Sequence, residues 1–516
     1  MLPFPNFHFD PQATSTSTSS MASNSTNSMM TCPCPLTACN TLSDNNQAPK
    51  AKLTKRPSKT VVCLRETTAF KLSEVEPATK TSSMSKTSTP SAVCTCTCNC
   101  FNAVASDIEV HSVNVDMAHD AWLDTTRPYV PVYQELVGAQ LSPTPSATYY
   151  TLTESGHRGL EVATDQLHEM FYKATEYVLE HEAEVGPFFH IPSSLWPKIR
   201  ASWAQSKHDI ISGRFDFALT NEGIKVYEYN ADSASCLLEC GYTQDAWSNG
   251  AGINSVGRSS SHTLFAQLVA AWKGKTLDGP LHLMCDNDLE ERYHAMYMQS
   301  AAEAAGIPCH LLIGLDGITS TDDGRYFDAN HREIRNVWKT WCWRTVMNQV
   351  EAAESGNLPA TGFRLMDLLL DENVRVFEPL WTLLAGSKAI LPILSTLYPT
   401  NPFLLKSSFE EKDVATSGRG YVAKPVMGRT GSNISLYSAS HELLNETGGR
   451  WVDDTIVYQE LAMLPKYKDQ FVQVNTWAIN GRFGGTVLRQ DASSIIGLNS
   501  EIPSLRIVPN PTEAVA

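Results

Sequence analysis

No stretch of this chain approaches the ~20 consecutive apolar residues that would cross a bilayer. The longest greasy run, LFAQLVAAW at 264–272, is the size of a core helix. Lysine and arginine are absent before Lys50, so the opening MLPFPNFHFDP carries neither the basic flank of a secretory signal nor an arginine-rich transit sequence. A cytoplasmic protein without a membrane partner is expected. A surplus of positive charge is missing too: the formal net charge is −15, which argues against nucleic acid as a partner. An acidic surface suits a cationic small substrate such as a polyamine, and it equally serves solubility. Cysteine is scarce where the chain reads as folded. Eight of the thirteen cysteines fall in the first hundred residues, and the five in the remaining 416 have no spacing of a disulfide framework. The run CTCTCNC (94–100) lacks paired CxxC spacing; it is either a soft-metal site or a set of incidental thiols.

With 42% hydrophobic and 18% charged residues, a globular chain of two or three domains' length is indicated. Residues 1–105 are the exception. Ser/Thr tracts such as STSTSSMASNSTNSMM (15–30) offer no apolar period to bury, so a disordered tail is expected there, with the folded region running over 116–516. Within it, Leu160, Ala163, Leu167, Met170 and Phe171 share one face of a helix predicted over 152–189. A second helix suits 261–274. The order strand 279–288, helix 290–306, strand from Ile307 predicts a strand–helix–strand unit. Strands are predicted at 421–426, 433–437, 455–461, 471–479 and 485–489, which together indicate an α/β (α+β) fold.

The stretch RFDFALTNEGIKVYEYNADSAS (214–235) reads as a hairpin around Asn221–Gly223. A three-residue loop puts Thr220 opposite Ile224, Asp216 opposite Glu228 and Arg214 opposite Asn230. Arg214, Asp216, Glu228 and Asn230 then share a face, while Phe215, Phe217, Tyr227 and Tyr229 point into a core. Directly opposed carboxylates cost a strand pair up to ~1 kcal/mol. A divalent cation would reverse that cost, since two carboxylates and an amide oxygen suit Mg²⁺, with Arg214 placed for a phosphoryl oxygen. The alternative is a solvent-facing edge strand with Arg214 as counter-ion.

In YVAKPVMGRTGSNISLY (421–437), Lys424 lies in an apolar strand and would be partly desolvated unless it met an anion. The glycines of GRTGSN would let backbone N–H groups approach phosphate oxygens. This is neither GxxxxGK[ST] nor GxGxxG. A strand lysine followed by a Gly-rich turn and another strand is the arrangement of an ATP-grasp nucleotide site.

These motifs, with EERYHAMYMQ, VWKTW (337–341), SKAILPIL (387–394), VYQEL and GGTVLRQDASSII (484–496), come in an order that resembles the synthetase domain of glutathionylspermidine and trypanothione synthetases. Those are ATP-grasp C–N ligases, and the resemblance covers roughly 116–508. It implies ATP and Mg²⁺ as cofactors, with Asp216, Glu228 and Asn230 as metal ligands and Arg214 and Arg489 as catalytic residues. Lys388 and Lys424 would hold ATP phosphates, assisted by Arg214 and Asp216, beneath a mobile loop at Gly428 and Gly431. Gln459, Glu460, Leu461 and Ala462 would contact adenine, with Ser494, Ile495 and Ile496 also on the nucleotide side. Arg214, Ser233, Ser235, Glu291 and Thr340 would hold glutathione, and Glu290 and Glu501 the polyamine, spermidine or a relative. The implied reaction joins the glycine carboxylate of glutathione to an amine of spermidine through an acyl phosphate. Alternatives are a ligase of the same fold with other substrates, and a trypanothione synthetase that performs both conjugations. Many relatives carry a cysteine-dependent amidase domain; the region before Asp116 is too short and Ser/Thr-rich for one, so synthesis without hydrolysis is expected.

Overall fold

The computed structural model describes residues 103–115, 122–138, 146–357, 362–451 and 454–511. Residues 1–102 of the expected tail, with the CTCTCNC run, lie outside these residues; its last three do not, since Ala103 is buried in the core and Ala105 begins a short 3-10 turn, Ala105–Asp107. The strand Ile108–Asn114 precedes residue 116, where the folded region was expected to begin. It pairs antiparallel with Ser146–Thr153 from Ile108↔Leu152 to Asn114↔Ser146, so the fold takes it in. Ser146–Thr153 pairs in parallel with Ser504–Val508, which ties this beginning to the end of the chain.

The predicted strand–helix–strand unit is present as Leu281–Cys285, the helix Leu289–Ala304 and Cys309–Ile313. Its strands belong to a parallel sheet completed by Asn336–Lys339 and Arg375–Phe377. All five residues of Leu281–Cys285 are buried, as a parallel strand covered on both faces requires.

Two further sheets are antiparallel. In one, Gln470–Ile479 is central, paired with Arg482–Asp491 on one side and Ser212–Thr220 on the other, and Gly223–Asn230 follows Ser212–Thr220. The other runs in the order Ser407–Ser408, Ile456–Glu460, Tyr421–Pro425, Ser435–Tyr437, Leu443–Glu446. The predicted long helix spans Glu154–Glu180, capped by the Thr153 hydroxyl, which accepts from Gly156 N at 3.0 Å. Leu160, Ala163, Leu167, Met170 and Phe171 are all buried on it, as their period predicts. Phe171 meets Phe215 and Tyr229 edge-on at 5.5 and 5.3 Å, and Phe215 stacks on Tyr229 at 4.0 Å. This aromatic layer fixes one face of the hairpin, so the opposite face is free to carry chemistry.

The hairpin corrects the expected register. Its loop is two residues, Asn221 and Glu222, with Thr220 opposite Gly223 rather than Ile224. Gly223 has φ +115°, a conformation a side chain would resist. The resulting one-residue slip would have sent Glu228 to the wrong face. A bulge between Asp216 and Phe217 takes it up, so Asp216↔Glu228 and Arg214↔Asn230 stand as expected. Tyr227 is the extra residue. It leaves the Phe215–Tyr229 layer, where it was expected, and packs with Ala218, Leu405, Ala462, Leu464 and Ile496.

Candidate active site

Asp216 and Glu228 meet across the bulge, and each has its own cation. Arg214 grips Asp216 with two parallel bonds, Nε to Oδ1 at 2.8 Å and Nη2 to Oδ2 at 3.0 Å. Its Nη1 donates to the carbonyl and hydroxyl of Ser235 at 2.9 and 3.1 Å. Arg214 is 4% exposed. Burial alone would lower its pKa, but the Asp216 carboxylate outweighs it and raises it. Glu228 instead meets the Lys388 ammonium at 3.0 Å. Burial pushes its carboxyl up, yet Lys388 and then Lys424 hold it below the usual range.

Lys424 sits on the neighbouring sheet and is 5% exposed. In place of an anion it donates to Gln459 Oε1 at 2.7 Å and to the Tyr227 carbonyl at 3.2 Å, which ties the two antiparallel sheets together. Burial lowers its pKa to about 8, against the pull of Glu228. The bulged Tyr227 therefore serves the site twice, since its hydroxyl also donates to the Ala462 carbonyl.

The Gly-rich turn arches over these cations. Lys388 donates to the Gly428 carbonyl at 2.7 Å. Gly431 has φ +73°, and a Cβ there would come within 2.7 Å of the Ile496 carbonyl oxygen, so this position admits no side chain without displacing the turn. Thr430 and Asn433 also have positive φ, 51° and 55°, a strained conformation for a β-branched threonine. The same turn sends Arg429 toward Ser233, whose carbonyl its Nη2 meets at 3.4 Å.

The other expected residues fall into separate groups. Gln459 spends its side-chain oxygen on Lys424, and the Glu460 and Leu461 amides bond to the carbonyls of Lys406 and Gly420 at 2.8 and 3.1 Å. Ala462, Ile495 and Ile496 are buried, and the Ser494 hydroxyl accepts from Asn445 at 2.9 Å. Ser233 donates to the Thr340 carbonyl. The Thr340 hydroxyl has no hydrogen bond of ordinary length, but it lies beside Glu291. Burial raises the Glu291 carboxyl and Thr340 opposes that. Burial likewise pushes Glu290 up to about 7. Arg489 bonds to Ser500 Oγ at 2.8 Å and to the Gly497 carbonyl at 2.7 Å. Glu501 accepts from Gln490 Nε2 at 2.5 Å. Among the described residues no hydrogen bond or ion pair joins Glu501 to Glu290, or Arg489 to Arg214 and Asp216.

Asp216, Glu228 and Asn230 supply two carboxylates and an amide, the hard-oxygen chemistry that suits Mg²⁺. The Asn230 amide nitrogen is buried without a partner, so this side chain is not committed to the protein. The set fits the ion. Among the described residues no group of three or more His, Cys, Asp or Glu forms a metal site.

Sequence reasoning missed Asn475, which stands opposite Asp216 in the sheet and donates to its Oδ1 at 2.7 Å. The signal was present, since Gln473 and Asn475 are amide side chains at a period of two in a largely buried strand. Arg429 was passed over because attention to the turn fell on its glycines.

A family model described as "Glutathionylspermidine synthase preATP-grasp" matches residues 142–508. The chain is 39% identical over 396 residues to the bifunctional glutathionylspermidine synthetase/amidase of Escherichia coli (strain K12), covering 75% of this chain and 63% of that protein. It is 35% identical over 401 residues to the trypanothione synthetase of Crithidia fasciculata, covering 75% and 61%. A putative acid–amine ligase of Haemophilus influenzae is 25% identical over 373 residues, covering 70% of this chain and 89% of that one. The chain thus spans under two thirds of the length of the first two relatives. Its match to the family model takes in strands of all the sheets described above, and by that match the chain belongs to the glutathionylspermidine synthase family.

Proposed function

We propose that this protein uses ATP and Mg²⁺ to join the glycine carboxylate of glutathione to an amine of spermidine. The observation that carries the reading is the charge balance where the two antiparallel sheets meet. Arg214, Lys388 and Lys424 face Asp216 and Glu228, three cations against two carboxylates, so one positive charge is left for an incoming anion.

A carboxylate is a poor acyl donor because its oxygen does not leave. Transfer of the γ-phosphoryl group of ATP to the glycine carboxylate of glutathione turns that oxygen into phosphate. Lys388 and Lys424 would hold the triphosphate, and Arg214 would stabilise charge on the transferring group. Asp216, Glu228 and Asn230 would hold Mg²⁺, which when bound offsets phosphate charge. The turn over 428–433 would exclude water that could hydrolyse the acyl phosphate. Ser233, Ser235, Thr340 and Glu291 would hold glutathione, and Glu290 and Glu501 the ammonium groups of the amine. Arg489 would act from the nucleotide side, and the apolar cluster of Ala462, Ile496 and Tyr227 would border the adenine.

The test is product analysis. Purified protein with ATP, Mg²⁺, glutathione and a panel of di- and polyamines is expected to yield one ADP per amide, with spermidine the preferred amine by mass. No amide with any amine in the panel would refute the reading.

A further inference from the structure

Behind the expected polyamine carboxylate lies a buried ion pair that the proposed chemistry has not yet used. Glu239 and His294 are 3% and 5% exposed. His294 Nε2 stands 3.2 Å from Glu239 Oε2, and the Tyr293 hydroxyl donates to Oε1 at 2.7 Å. Both carboxylate oxygens of Glu239 are therefore committed. Glu239 also opens a π-helical turn, Glu239–Thr243, a rare geometry that concentrates at functional sites.

His294 lies one turn beyond Glu290 and three residues beyond Glu291 on the helix Leu289–Ala304, so the three share a face. The helix begins at the Asp288 cap, whose carboxylate accepts from Glu290 N at 2.8 Å and Glu291 N at 3.4 Å. Burial disfavours a charged His294, but Glu239 outweighs it, and Glu290 and Glu291 add to its pull. Burial likewise disfavours a charged Glu290, and His294 is the largest influence opposing that. From the packed neighbours, Tyr133 of the helix Val130–Gly138 stacks edge-on against Tyr293 at 5.4 Å. Cys236 approaches from the segment after the hairpin, with Arg214 and Arg489 beside it. Burial raises both Tyr133 and Cys236, and Arg429 of the Gly-rich turn feels Glu291; the strongest charges on Glu290 are the cation His294 and the carboxylates Glu239, Glu291 and Asp288.

We propose that the Glu239–His294 pair is a positioning unit that favours the carboxylate form of Glu290, so that Glu290 accepts the proton the attacking ammonium must lose. The inference rests on the amide-forming reading above. The ammonium gives one proton to the Glu290 carboxylate. The freed lone pair forms the C–N bond at the acyl carbon, the C–O bond to phosphate breaks, and its electron pair leaves on phosphate. The second nitrogen proton goes to that phosphate, and Glu290 returns its proton to water. The pair does not touch the substrate; it acts by charge through Glu290.

The test is the pH profile of kcat/KM for spermidine. His294→Gln keeps a donor toward Glu239 but no charge, and should move the acid limb upward by about one pH unit, roughly tenfold less activity on that limb. Because that variant leaves Glu239 buried without a cation, the double variant Glu239→Gln/His294→Gln is measured beside it. It carries no buried charge in the pair and should shift the limb in the same direction by less. With hydroxylamine as nucleophile, largely uncharged at neutral pH, hydroxamate formation should show no such shift. A limb that stays at its wild-type position in both variants, or moves equally with hydroxylamine, overturns the inference. A wild-type protein that traps hydroxamate but forms no spermidine amide overturns the amide-forming reading instead, and this inference with it.

Discussion

Replacing Lys424 with methionine separates what this residue costs the fold from what it does for phosphate. The buried ammonium has its pKa lowered from 10.5 to about 8, and a difference of that size is worth about 3 kcal/mol against folding while the group is charged. The sign follows from the direction. The unfolded chain binds the proton more tightly, so the penalty is complete below pH 8, fades between pH 8 and 10.5, and is gone above. Methionine removes that penalty but leaves Gln459 Oε1 and the Tyr227 carbonyl without their donor, at about 1–3 kcal/mol each. Glu228 keeps Lys388 at 3.0 Å, so no carboxylate is stranded. The two effects nearly cancel, and Lys424→Met should unfold in urea within about 2 kcal/mol of the wild type at pH 7. It should also lack the gain in stability from pH 8 to 10.5. Turnover should nonetheless fall by about 10²–10³-fold, the usual loss for one charge-stabilising donor. A variant that keeps turnover within tenfold, or that loses far more than 3 kcal/mol, would refute this account of the lysine.

Asp216→Asn should be costlier to the fold, because it strands the 4%-exposed Arg214 without its carboxylate; a loss of about 3–5 kcal/mol by denaturation, with turnover abolished, is expected. Gly431→Ala should raise the KM for ATP and destabilise by about 1–2 kcal/mol, since φ is +73° and the added Cβ meets the Ile496 carbonyl at 2.7 Å; an unchanged KM would remove the turn from nucleotide binding. Chelation with EDTA should abolish amide formation and added Mg²⁺ restore it, while Glu228→Gln should raise the Mg²⁺ concentration needed for half-activity.

The elements that periodicity governs were legible. Leu160 to Phe171 place the long helix because an apolar stripe can be buried in only one way, and the buried run 281–285 announces a parallel strand. The hairpin shows where such reading stops. Its face assignments for Arg214, Asp216, Glu228 and Asn230 held although the loop assignment was off by one residue, because an unread bulge supplied the compensating residue. A bulge has no strong local signature, and Tyr227, aromatic like its neighbours, gave no sign that it would leave the core for the side of Lys424. Asn475, by contrast, was legible as a polar residue in a buried strand and was passed over. The Glu239–His294 pair was hidden for another reason: its partners are 55 residues apart and meet only through packing of the helix on the π-helical turn.

The hairpin also alters the physical argument for a metal. Opposed acids were expected to demand a cation between them, yet Asp216 and Glu228 are each paired with a side-chain cation of the protein. Their tolerance of one another therefore does not require magnesium. What favours the ion is the inequality between the two pairs. Asp216 is held bidentately at 2.8 and 3.0 Å by an arginine fixed in turn by Ser235, whereas Glu228 has a single bond from Lys388, a flexible lysine that also spends a proton on the Gly428 carbonyl. A ligand that draws Lys388 away frees Glu228 to act beside the already uncommitted Asn230, while Asp216 stays in place. Triphosphate would do this by offering Lys388 a stronger anion than a glycine carbonyl. The cation site would then be completed by nucleotide binding, and Mg²⁺ should bind detectably more tightly with ATP present than without it. Equal Mg²⁺ affinity in the two conditions, measured by calorimetry with a non-hydrolysable nucleotide after correction for Mg²⁺ bound by free nucleotide, would break that coupling.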